Sequence, residues 1–260
     1  LPHTLHPAFL PYTSSPHRPA GNAKDESRTL GMYIILLFMN KSNMKNKFII
    51  TAMCISIFLC MLDTTVMNIA LPTIQDNLKA DLNNLQWALN VYTIIFASLT
   101  IPLSKFAEKY GKHRFYLISL IVFSIGSLVS SCSTTLSSLI VGRAIQSVGA
   151  AVIFPLSMTI GINTVKLTER KGVIAALGVT QGLAAALGPT IGGILTQFLG
   201  WQWIFLINIP FMLTSLLICI KCLDLRENKE SLKIDLIGAL LSMVTLFSLT
   251  LGLVQGRLWG

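Results

Sequence analysis

Seven stretches of this chain run for about twenty positions with almost no charge, at about 48–71, 85–103, 115–133, 136–158, 172–196, 201–221 and 235–256. Each matches the ~20 apolar residues that a helix needs to cross a bilayer. Runs of this length cannot be lipid-exposed strands, because every backbone donor and acceptor must be satisfied within its own segment or in a closed barrel of short alternating strands. The pattern predicts an all-α integral membrane protein with seven spans.

The residues ahead of the first run follow no period. Pro2, Pro7, Pro11, Pro16 and Pro19, with His3, His6 and His17, favour disorder, and the apolar patch Tyr33 to Met39 is too short to span. Residues 1–44 are therefore expected to form a disordered, basic extension. The chain opens on Leu1, while Met32 and Met44 each precede a basic patch, as a cloning or gene-calling extension would explain. The first run then reads as a retained anchor. The rest divides into a six-helix unit at 45–222, a cytoplasmic linker at 223–234, and a seventh span at 235–260 with which the chain stops.

Composition supports the class and charge sets the orientation. The chain is 53% apolar and 12% charged, against about a quarter charged in soluble domains. A net charge of +9 raises nucleic acid as a partner, but the basic residues lie in short clusters between apolar runs, as cytoplasmic membrane loops require. With the N-terminus inside, seventeen of the twenty Lys and Arg are cytoplasmic; Lys79 and Arg257 lie outside and Arg143 lies within the membrane. Cys54, Cys60, Cys132, Cys219 and Cys222 sit in or beside apolar runs and read as small hydrophobes rather than a disulfide framework or metal site.

Only Asp63 in the first run and Arg143 in the fourth carry charge inside what would be hydrocarbon, where each costs roughly 2.5 to 3.5 kcal/mol on insertion scales. By helical rise, Asp63 lies about 12 Å and Arg143 about 10 Å from the outer ends of their helices, so the two can meet across one cavity. A carboxylate held against an apolar wall beside a cation can bind and release protons, and the alternative is a static structural pair. Thr64 and Asn68 beside Asp63, and Gln146 one turn after Arg143, are candidates to line the same cavity.

Two further segments stand out. Ser104 to Arg114 carries Glu108, Gly111, Lys112 and Arg114, the mixed charge and single glycine of a tight cytoplasmic turn. The fifth run holds a small-residue stripe, Ala184, Gly188 and Gly192, with Pro189 and Gly193 alongside. Small residues at spacing four let helices approach closely, while a proline removes one helical hydrogen bond and invites a bend.

L-D-T-T-V-M-N-I-A-L-P from Leu62, F-A-E-K-Y-G-K-H-R from Phe106, R-A-I-Q-S-V-G-A-A from Arg143 and L-G-P-T-I-G-G-I-L from Leu187 together resemble the major facilitator superfamily. They are similar in particular to its fourteen-helix drug:proton antiporter branch, over residues 45–260. Gly200 to Pro210 resembles that family's sixth-helix start, and Asp235 to Gly238 the extra helix of the branch. Ser104, Glu108, Ser147, Ala184 and Gln202 depart from the usual motif residues. A short echo between Leu103 to Phe106 and Leu195 to Phe198 is consistent with two three-helix units related across the membrane plane.

The resemblance implies a major facilitator fold, seen here as the N-terminal six-helix half plus a seventh transmembrane helix, with a second half missing from this chain. It further implies proton-coupled multidrug efflux at the cytoplasmic membrane, with Asp63 and Arg143 in proton coupling. Glu108, Gly111, Lys112 and Arg114 would form the gating loop, and Gly188, Pro189, Gly192 and Gly193 the packing face or hinge. Expected partners are a small-molecule substrate, protons and the bilayer, with no nucleic acid and no cofactor beyond the proton gradient. A facilitator for an amino acid, sugar or siderophore is the main alternative. A seven-helix receptor would place its N-terminus outside, against the charge bias, and no nucleophile, metal or phosphate motif points to an enzyme.

Overall fold

A computed structural model describes residues 44–224 and 235–259. The expected extension up to residue 43 and most of the expected linker, 225–234, lie outside the described residues. The helices are α1 (Met44–Leu78), α2 (Leu82–Tyr110), α3 (Lys112–Ser131), α4 (Leu136–Asn163), α5 (Arg170–Phe198), α6 (Trp203–Leu206), α7 (Asn208–Cys222) and α8 (Leu236–Trp259). Seven segments are long and apolar enough to cross a membrane, the short α6 running into α7 as one span, Trp203–Cys222.

The helices overrun the apolar runs at several ends. α1 continues through Pro72 to Leu78, where Lys79 turns the chain out of the helix at φ 48°. Pro72 forfeits one backbone bond but does not stop the helix, since the turns on both sides remain paired. α2 runs through the charged segment as far as Tyr110, so the expected loop shrinks to Gly111 alone. Its φ of 115° is open to glycine at little cost, and both helices are tied to it: Gly111 N donates to Ala107 O (3.0 Å) and Phe115 N to Gly111 O (3.1 Å). Glu108 therefore sits on the last turn of α2, and Lys112 and Arg114 on the first turn of α3.

Glycine decides how closely the helices pack. Where α3 crosses α4, a Cβ on Gly142 would lie 2.5 Å from Ser130 Oγ, and one on Gly149 would lie 2.7 Å from Phe123 N. Gly126 on α3 meets the backbone of Gln146 more closely still. At this separation backbones touch, and the packing of small residues replaces the hydrophobic drive that lipid does not supply. α1 packs on α5 and α7, and α8 packs on α2 with most of its surface exposed. α1 and α4 are the most enclosed helices.

A buried charge network as candidate functional site

The enclosed faces of α1 and α4 bring the two intramembrane charges together. Arg143 Nη1 donates to Asp63 Oδ2 in direct contact, with both side chains 1% exposed. Among the described residues these are the only buried side chains that carry formal charge. Neither is left with one partner. Arg143 Nη1 also donates to Gln146 Oε1 (2.9 Å) and Nε to the carbonyl of Ala88 on α2 (3.3 Å). The guanidinium carbon lies 4.1 Å from the ring centre of Tyr92 and 5.7 Å from that of Phe205, within cation–π range. Ser147 Oγ donates to Tyr92 O (2.6 Å), fixing α2 beside the cation.

The other carboxylate oxygen faces two amides. Asp63 Oδ1 accepts from Gln146 Nε2 (2.8 Å) and from Asn208 Nδ2 at the head of α7 (3.2 Å). Ser127 on α3 closes the network: its Oγ accepts from Gln146 Nε2 (3.3 Å) and Asn208 Nδ2 (3.0 Å) and donates to Phe205 O (3.0 Å). Five spans therefore meet in one network, and two of them, the fourth and sixth, reach the carboxylate of the first directly. Such a pair survives burial because each charge has several hydrogen bonds; removing one partner typically costs about 3–5 kcal/mol.

Seven residues before Asp63 on α1, a second layer of neutral polar groups lies on the same helix faces. Ser56 Oγ and Ser215 Oγ are 2.8 Å apart, Ser215 Oγ donates to Ala52 O (3.1 Å), and Ser157 Oγ donates to the Tyr116 hydroxyl (3.3 Å). All four side chains are fully buried. They tie α1 to α7 and α3 to α4 without charge.

Of the cavity candidates only Gln146 joins the charge network. Thr64 is half-buried and its Oγ1 donates to Met61 O (2.6 Å), while Asn68 is exposed and donates to Thr64 O (3.1 Å). Both bond to their own helix, as short polar side chains in an apolar setting commonly do. Glu108 pairs with Lys105 at 3.0 Å rather than with a second helix. Gly188 lies against Thr65, and a Cβ on Gly192 would come within 3.2 Å of Val66 Cα, with Pro189 inside the unbroken α5. Gly193, expected with the packing face or hinge, does not face α1: among the described residues a Cβ there would meet nothing within 4 Å. It points 100° away from Gly192, as helical geometry requires of the next residue.

Asn208, Ser127 and Tyr92 are members that the charge pattern does not reveal. Asn208 stands in the Gly200 to Pro210 segment, so its polar side chain within an apolar run was the available signal. Among the described residues no group of three or more His, Cys, Asp or Glu is arranged to hold a metal ion, and the five cysteines are free.

Residues 53–258 match the sequence profile described as Major Facilitator Superfamily. The riboflavin transporter RibZ of Clostridioides difficile (strain 630) is 33% identical over 212 residues, which cover 80% of this chain and 46% of that protein. The multidrug export protein EmrB of Escherichia coli (strain K12) is 32% identical over 208 residues, covering 79% of this chain and 40% of that protein. The chain thus spans about half the length of the curated relatives it matches. A solved bacterial homologue of the human lysosomal transporter Spinster, inward-facing and unoccupied, superposes with a TM-score of 0.59 at 15% identity, over 75% of this chain and 47% of that one, a likeness of fold. The profile and these relatives place the chain in the Major Facilitator Superfamily, as a multi-pass membrane protein.

Proposed function

We propose that this chain is the N-terminal, proton-coupling portion of an exporter of amphipathic compounds, working by antiport with protons in the cytoplasmic membrane with its N-terminus inside. The observation that carries the reading is the buried Asp63–Arg143 pair, a carboxylate inside the bundle whose every ligand is a donor. Such a group changes its set of partners when it takes a proton, and helices that share those partners must rearrange. Kinship with a multidrug exporter supports the substrate class. The seventh span and the six-helix unit at 45–222 would then join a second half, with the drug held between them.

The test is transport by the whole protein in proteoliposomes under an imposed pH gradient. Asp63→Asn should insert normally and lose pH-driven export of amphipathic cations while retaining substrate binding. Wild-type export with unchanged pH dependence would remove Asp63 from coupling. Kinship with a riboflavin transporter favours a second reading, a carrier of a neutral heteroaromatic solute. Riboflavin belongs in the same assay, and uptake of it without export of cations would select that reading.

A further inference from the structure

Every ligand of Asp63 in this arrangement is a hydrogen-bond donor: Arg143, Gln146 and Asn208. That suits an ionised carboxylate, which only accepts. Once protonated, the same group must donate, and it needs an acceptor within the shell. Three acceptors of the network already hold a bond each. Gln146 Oε1 takes a bond from Arg143, the Ala88 carbonyl takes Arg143 Nε, and the Phe205 carbonyl takes Ser127 Oγ. Among the groups that touch Asp63, the one acceptor holding no bond at all is Asn208 Oδ1, fully buried and on the very amide whose Nδ2 faces the carboxylate.

We propose that Asn208 reads the protonation state of Asp63 by reversing its amide. With Asp63 ionised, Nδ2 points inward and donates. When a proton from the aqueous phase binds Asp63 Oδ1, the amide turns about its last side-chain torsion and Oδ1 accepts the new carboxyl O–H; when the proton leaves, the amide returns. No other bond is made or broken covalently, and Arg143 keeps its charge.

With Asp63 ionised the observed orientation is preferred, because the reverse would set Oδ1 against a carboxylate oxygen; a proton on Oδ1 removes that opposition. In one the buried Oδ1 is unpartnered, and in the other Nδ2 gives up Asp63 and Ser127; an unsatisfied buried polar atom costs about 1–3 kcal/mol either way. The proton on Asp63 decides between them. The charged and titratable side chains around this carboxylate are Arg143 from α4, Tyr92 from α2 and Cys60 one turn earlier on α1; α3, α6 and α7 present the neutral Ser127, Phe205 and Asn208. Asn208 follows Ile207, whose backbone is itself helical and carries α6 into α7 as one span.

The inference rests on Asp63 being a proton carrier, and infrared difference spectra separate the two ideas. The whole protein in lipid, stepped from high to low pH, should show a protonated carboxyl C=O band that disappears in Asp63→Asn. In Asn208→Leu the band should move to higher frequency as the O–H loses its acceptor, and it should not move in the exposed control Asn77→Leu. In wild-type protein carrying 13C-asparagine, a side-chain amide band should appear in the same difference spectrum and be absent from Asp63→Asn; this arm does not depend on how well an Asn208 variant folds. A carboxyl band assigned to Asp63 with no asparagine band, or unmoved in Asn208→Leu, overturns the role of Asn208 and leaves the carrier intact. Loss of no band in Asp63→Asn overturns the carrier itself.

Discussion

Arg143 does more for Asp63 than supply a charge. Its guanidinium bonds the carboxylate, Gln146 and the Ala88 carbonyl at once while lying over Tyr92, a set of directions that an ammonium cannot reproduce. Arg143→Gln should therefore destabilise the protein by about 3–5 kcal/mol, because a carboxylate remains buried without its cation. The double variant Asp63→Asn with Arg143→Gln should recover most of that loss, as read by thermal unfolding in detergent. Additive losses would mean that the pair is not energetically coupled. At this scale the sequence was informative wherever a residue is expensive in lipid: a charge in an apolar run announces itself, so Asp63 and Arg143 were visible, and one helical turn led from Arg143 to Gln146. Ser127 and Asn208 carry no charge, so the charge pattern did not mark them; an uncharged polar residue in an apolar run was the only trace of either. Asn208 stands 145 positions from its carboxylate, and nothing in spacing along one helix predicts such a contact.

Between elements, the absence of side chains sets the geometry. Gly188 and Gly193 look alike in the sequence, yet only the first faces α1. Gly188→Leu should drive the leucine into Thr65 and force α1 and α5 apart, an overpacking that costs at least about 1–3 kcal/mol and should abolish transport with membrane insertion intact. Gly193→Leu should insert and transport normally. Equal export by the two variants would reduce the stripe to composition. The stripe at spacing four was readable because helical period selects one face, and Gly193 failed for the same reason when it was grouped with its neighbour. Element ends were less readable. Charge marked the end of a span in the sequence, but a helix stops where backbone pairing stops, so α2 carried Lys105, Glu108 and Lys109 beyond the apolar run to Gly111, and α1 passed through Pro72.

For the molecule as a whole, orientation is the property most exposed to test. With the N-terminus inside, Cys132, exposed at the end of α3, faces outward, and Lys109, at the end of α2, faces the cytoplasm. In intact cells an impermeant thiol reagent should label native Cys132 and should fail to label Lys109→Cys in a background without other cysteines; the reverse pattern inverts the topology. The order of spans and their class were legible from hydropathy, but the neighbours were not, since α8 lies on α2 and α1 on α5 by virtue of faces that meet only after folding. The long separation between the paired charges also has a consequence for synthesis. Arg143 is made 80 residues after Asp63, and Asn208 another 65 after that, because 145 residues separate it from Asp63. At ~5–20 residues per second, the ribosome delivers the arginine roughly 4–16 s after the aspartate. For that interval the first span carries an acidic group without this counter-ion, a cost of roughly 2.5 to 3.5 kcal/mol on insertion scales that its apolar residues have to offset until the fourth span arrives.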